Sequence, residues 1–161
     1  MKKIVFLLIL TSLQFVFSQD NNRVSNNCDA ELIVEKSRNT KSADEDGALF
    51  PLILTNNSSK KVAFTLSYIQ LKEKCDNETL KSKRENSILD VSFISSNNKN
   101  KLSNDIILNA GQSFKLNALV TAPKNTPYYT WGCIEIQANS NDCNKSTSTI
   151  LKVYVPNPSE D

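Results

Sequence analysis

Hydrophobic and polar residues alternate in short stretches along this chain, and turn-forming residues separate the stretches. From Ser113, Phe114, Leu116, Ala118 and Val120 fall on one side, with Lys115 and Asn117 on the other. That period of two marks a half-buried strand. Pro123 ends it, because proline cannot donate to a ladder. The period returns in Tyr128 to Ala138, with Ile134, Ile136 and Ala138 inward, and in Thr149 to Val155, with Leu151, Val153 and Val155 inward. Pro156 and Pro158 close the last stretch. Three consecutive antiparallel strands are predicted.

The earlier chain supplies the partners these strands need. Ala30 to Glu35 reads as a short strand. Asn39 to Gly47 reads as a polar loop, with Asp44-Glu45-Asp46-Gly47 as a solvated turn; the spaced ligands of a calcium loop are missing. Ala48 to Thr55 is almost continuously apolar and is predicted to be central. Asn56 to Ser59 is a turn. Lys61 to Leu71 presents Val62, Phe64, Leu66 and Tyr68 on one face. Lys72 to Asn86 is charged and fits a long hairpin loop or a short helix. Ser87 to Ser95 is a strand interrupted by Asp90, and Ile106 to Leu108 is a short stub before the turn at Asn109-Ala110-Gly111. Seven to eight strands with regular turns and no helical period predict an all-β antiparallel sandwich.

Residues 1–18 form a different kind of segment. Lys2 and Lys3 precede an apolar run from Ile4 to Leu13, and Val16 and Ser18 suit a signal-peptidase site, which makes Gln19 the new N-terminus. Cys28 lies too far along for lipid attachment at that cut. Residues 19–29 read as a flexible polar lead, 30–156 as the sandwich and 157–161 as a tail. The chain has 19 Lys and Arg against 17 Asp and Glu. Losing Lys2 and Lys3 leaves a neutral mature protein, without the electrostatic footprint of nucleic-acid binding. No membrane insertion is expected after cleavage, and the product is expected to be periplasmic or secreted.

Composition narrows the chemistry further. The chain has no His and three Gly. His-based triads, His metal sites and Gly-rich phosphate loops are excluded on that basis. No catalytic residue, cofactor or metal ligand is expected. Asn57-Ser58-Ser59 and Asn77-Glu78-Thr79 match the N-glycosylation pattern.

Three runs carry a resemblance: Leu52-Ile53-Leu54-Thr55-Asn56-Asn57-Ser58, Ala110-Gly111-Gln112-Ser113, and Val120-Thr121-Ala122-Pro123 before an aromatic strand. Together they resemble immunoglobulin-like modules of bacterial exported proteins, of the fibronectin type III-like and glycosidase-associated kinds. The resemblance covers about residues 48 to 155. It implies the fold and says little of function. Lys72 to Asn86 and the four cysteines depart from the pattern.

Four Cys in an exported chain predict two disulfides among Cys28, Cys75, Cys133 and Cys143. Strand parity puts Cys133 beside Trp131 and Glu135, opposite the core-facing Ile134 and Ile136. It is therefore not the buried inter-sheet bridge of antibody domains. Sandwich topology suits Cys28–Cys143 with Cys75–Cys133. A local Cys133–Cys143 staple across the last hairpin is the alternative, and both stay open.

The same outward face carries Tyr129, Trp131, Ile150 and Tyr154, the candidate binding residues. Such aromatics either meet a ligand or are covered by 72–86 or by 97–104. The 139–148 loop at one pole offers a second surface. The expected function is that of a non-catalytic accessory or interaction subunit of a cell-envelope or surface complex, docking a protein partner through a sheet face or edge strand. The alternative is a free module that binds a surface glycan.

Overall fold

The computed structural model describes residues 29–75, 80–140 and 142–160. The expected signal peptide, most of the polar lead, Cys28 and the Asn77-Glu78-Thr79 pattern lie outside the described residues. Among the described residues, nine strands form two packed sheets. They are β1 (Ala30–Val34), β2 (Thr40–Ser42), β3 (Ala48–Asn56), β4 (Val62–Gln70), β5 (Asp90–Ser95), β6 (Asp105–Leu108), β7 (Ser113–Thr121), β8 (Thr130–Ser140) and β9 (Lys145–Val155). One sheet has the order β1-β3-β7-β5 and the other β2-β9-β8-β4-β6. The expected all-β sandwich is therefore present, with β3 central in its sheet.

On β4, β7, β8 and β9 the residues buried between the sheets are among those that the alternation marks, and β3, read as continuously apolar, alternates between buried and half-buried positions. Phe50, Leu52, Leu54, Phe64, Leu66, Leu116, Val120, Ile134, Ile136, Leu151 and Val153 fill the space between the sheets. Gly132 lies in this layer because Leu89 packs over it, so closely that a Cβ there would meet Leu89 Cγ at 2.7 Å.

Several boundaries depart from the expectation, each for a reason of pairing. β1 leaves its sheet after Val34, which faces Leu52. The next residue along β3 is Pro51, which has no N–H to offer on that side. The chain turns through a 3-10 segment, Glu35–Ser37, where Lys36 and Ser37 adopt positive φ. It then joins the other sheet as β2, inside the stretch expected to be a loop. β2 pairs in parallel with Lys152–Tyr154 of β9. Lys152 N donates to Asn39 O at 2.8 Å, and Ala43 N to Tyr154 O at 2.9 Å. Lys41 of β2 turns inward: its Nζ donates to Leu49 O and sits 5.2 Å from the Phe50 ring centroid.

At the last hairpin, Ser140 faces Lys145. The 139–148 loop is thus mostly strand, with 142–144 as turn among its described residues. β5 begins at Asp90 rather than Ser87, because Ser87 still belongs to the other sheet, donating its N–H to Trp131 O at 2.7 Å.

Asn56 ties the two sheets at one end. Its fully buried side chain donates from Nδ2 toward Lys60 O (2.8 Å), Leu108 O (3.1 Å) and Asn109 O (3.0 Å). Its Oδ1 accepts from Ser58 N and Ser58 Oγ at 3.0 and 2.6 Å. The Asx turn of this short polar side chain makes the tight passage from β3 to β4. Asn57 beside it is exposed.

Candidate functional site

The face expected to bind is divided in two by the chain that follows β4. Leu71 N still donates to Cys133 O at 2.7 Å, extending the β4–β8 ladder by one residue. The chain then departs over the outer face and returns at Ser87. Cys75 bonds Cys133 on that face, with Cα atoms 5.9 Å apart. Trp131 Nε1 donates to Leu80 O at 2.7 Å. Asn86 Nδ2 closes the base by donating to Leu71 O (3.0 Å) and Glu73 O (2.7 Å). Lys72 to Asn86 is therefore neither a free hairpin loop nor a helix among its described residues. It is a cover.

The cover decides where the four aromatic-face residues stand. Trp131 is 1% exposed and offers no ring face to solvent. Its ring lies 5.3 Å from that of Tyr154 at 53°, a tilted aromatic pair. Tyr129 is 43% exposed, in the turn before β8 with a φ of 59°, and its hydroxyl accepts from Asn157 Nδ2 at 3.0 Å. Ile150 is 42% exposed on β9. The structure brings Trp131 and Tyr154 together, and Tyr129 and Ile150 lie outside that contact. The Cys75–Cys133 bridge takes the first of the two expected pairings and rules out Cys133–Cys143. Cys143 is also disulfide-bonded.

A different place is open. Along the inward positions of β4, Val62, Phe64 and Leu66 are buried, yet Tyr68 is 41% exposed. The reason is that β6 pairs with β4 only as far as Thr65, after which Leu66 N donates to Asn104 O at 2.7 Å. The chain before Asn104 belongs to the opposite sheet: Leu102 N donates to Phe93 O at 2.9 Å, and Lys101 bridges Ile94. Hydrogen-bonding groups on a strand alternate in direction. Leu66 points to the β6 side and Leu71 to β8, so Tyr68 and Gln70 direct their N–H and C=O groups to the side where β6 has ended. Among the described residues these groups have no partner.

Beside this edge is a cleft of about 300 Å³ between the sheets, lined by Leu66, Tyr68, Val91, Phe93, Lys101 and Asn104 among others. Immediately further along β4, Gln70, Lys72 and Ile88 help line a second hollow of about 450 Å³. Ile88 is 74% exposed there. Gln70 Nε2 donates to Leu89 O at 2.6 Å, while its Oε1 is buried without a partner among the described residues. The sequence placed Tyr68 on the inward face without marking the opening. Its one signal was a residue with a polar tip ending the run Val62, Phe64, Leu66.

A third hollow, of about 400 Å³, lies at the pole formed by Asp44, Glu45, Asp46, Pro123, Tyr128 and Pro156. Asp44 Oδ1 accepts from Asp46 N and Gly47 N, so these acidic residues form the expected turn.

No protein-family model matches the chain, and no curated protein matches it. Among solved structures, a family 123 glycoside hydrolase from Clostridium perfringens is similar at a TM-score of 0.50 and 12% identity, over 80% of this chain and 27% of that one. The chain is an immunoglobulin-like β-sandwich. Likeness at this identity concerns the fold alone. Further similar structures are a FixG-related protein from Vibrio parahaemolyticus (TM-score 0.46, 10% identity, 79% of this chain and 94% of that one) and the periplasmic chaperone SfaE (TM-score 0.46, 10% identity, 80% and 58%).

Proposed function

We propose that this protein is an exported, non-catalytic module that docks a protein partner by accepting an extended strand on the free edge of β4. The observation that carries the reading is the pair of backbone positions without a partner among the described residues, Tyr68 and Gln70, beside a cleft between the sheets whose walls are of mixed polarity. A sheet edge of this kind takes main-chain hydrogen bonds from an added strand, and pockets beside it choose the side chains. The Cys75–Cys133 bridge supports export, since such bonds persist in oxidising compartments. The edge of β9 suits docking less well, because β2 already occupies Lys152–Tyr154.

The test is native co-purification of the tagged protein from its own cells, at low and high salt, comparing wild type with Tyr68→Pro and Val91→Glu. Tyr68 donates nothing to β8, so the proline removes only the outward N–H. The glutamate puts a charge in the cleft wall. A partner in fixed stoichiometry that is lost from both variants, with thermal unfolding little changed, supports the reading. A partner that survives both variants, or no partner at either salt, sinks it.

A further inference from the structure

We infer that the strand accepted at this edge is the C-terminal end of the partner chain, with its terminal carboxylate beside Lys101; the inference rests on the strand-addition reading above. The direction follows from β6. β6 runs antiparallel to β4, with Asp105 facing Thr65 and Leu108 facing Val62. An antiparallel strand opposite Gln70 and Tyr68 lies on the same line and runs toward Asn104. Antiparallel pairing is also the more stable kind per residue.

That line is closed at one end. Asn104 already occupies the place opposite Leu66, through the 2.7 Å bond to its carbonyl. Residues 101–104 then cross to Phe93 and Ile94. A strand arriving here has to stop. At the other end the edge meets the hollow at Gln70, Lys72 and Ile88, through which the rest of the partner chain can leave. One closed and one open end suit a chain terminus better than the middle of a segment.

The charge at the closed end agrees. Lys101 is the one charged residue lining the cleft, and it is exposed. The one ion pair among the described residues is Lys115–Glu35, so no carboxylate in the described structure neutralises Lys101. A terminal carboxylate there gains a charge-assisted contact. Inward side chains of the added strand meet Leu66, Val91 and Phe93, so small β-branched residues at alternate positions fit the cleft. The buried Gln70 Oε1 can accept from a donor near the open end.

The probes are two fluorescently labelled hexapeptides of alternating threonine and valine, one ending in a free carboxylate and one in an amide. Binding to the full exported protein is read by anisotropy. The free acid is expected to bind about fivefold more tightly than the amide, the size of an exposed charge pair. Lys101→Gln is expected to remove that difference, and Tyr68→Pro to abolish binding of both peptides. Equal binding of acid and amide, or no binding of either at millimolar concentration, overturns the C-terminal inference. The strand-addition reading stands or falls separately, on capture of the native partner by Tyr68→Pro and Val91→Glu.

Discussion

Trp131 on β8 donates its indole N–H to the carbonyl of Leu80, 2.7 Å away and 51 residues earlier in the chain. The bond places the 72–86 cover against the sheet and converts an outward aromatic into a second, smaller core. Removing the ring by Trp131→Ala should cost about 3–5 kcal/mol. Trp131→Phe should cost less, since most of the apolar area remains and Leu80 is partly exposed. Chemical denaturation followed by far-UV circular dichroism checks both. An alanine variant as stable as wild type would mean that the cover does not pack on Trp131.

The Cys75–Cys133 bridge holds the same cover from its other side, closing a sequence separation of 58. Replacing both cysteines with alanine should destabilise the protein by about 2–4 kcal/mol. The cover should also open before the sandwich unfolds, because the bridge is its covalent tie to the sheet. Trypsin should therefore cut at Lys81, Lys83 or Arg84 in the variant while the strands stay intact. Cleavage rates equal to those of wild type would speak against a separately opening cover.

Asn56 gives a prediction with a pH sign. Asn56→Asp keeps the shape but turns an acceptor toward the carbonyls of Lys60, Leu108 and Asn109. Burial and those carbonyls disfavour the ionised form, so the folded variant holds its proton to higher pH than the unfolded chain does. Its stability should fall as pH rises above the ordinary aspartate range. At neutral pH it should be less stable than Asn56→Ala, whose own deficit is about 1–3 kcal/mol. Urea midpoints for both variants at acidic and neutral pH decide it, and a pH-independent gap between them would refute it.

Glu35 and Lys115 tie the turn after β1 to β7, with Nζ and Oε1 3.0 Å apart. The hydrogen bond from Lys115, and next its charge, hold the Glu35 carboxyl below the usual range. A lowered folded value means that the contribution is present above the unfolded glutamate value and is lost as pH falls through the folded one. The pair is exposed, so the effect is small and screened by salt. An NMR titration should show the Glu35 midpoint rising toward that of a free glutamate in Lys115→Ala.

The alternation along 113–122, 128–138 and 149–155 was enough to identify an all-β sandwich and its inward residues, because a strand's period is local. It also put Cys133 on the outward face. That residue is nonetheless buried, since a covering segment can bury an outward position too. The 3-residue β2 was not legible. Thr40-Lys41-Ser42 carries no apolar alternation, and the strand exists because the edge of β9 offers partners. The opening at Tyr68 was equally hidden, for the pattern Val62, Phe64, Leu66, Tyr68 looks the same whether or not a neighbouring strand continues past it.

By itself, then, the sequence determined which residues of the longer strands face inward, and hence the fold class. Only the tertiary structure decided what lies against each face and edge: Leu80 over Trp131, β2 beside β9, and no described strand on the edge at Tyr68 and Gln70. Facing is set by backbone geometry within a few residues. Coverage depends on where distant chain segments travel, and a local pattern carries no information about that.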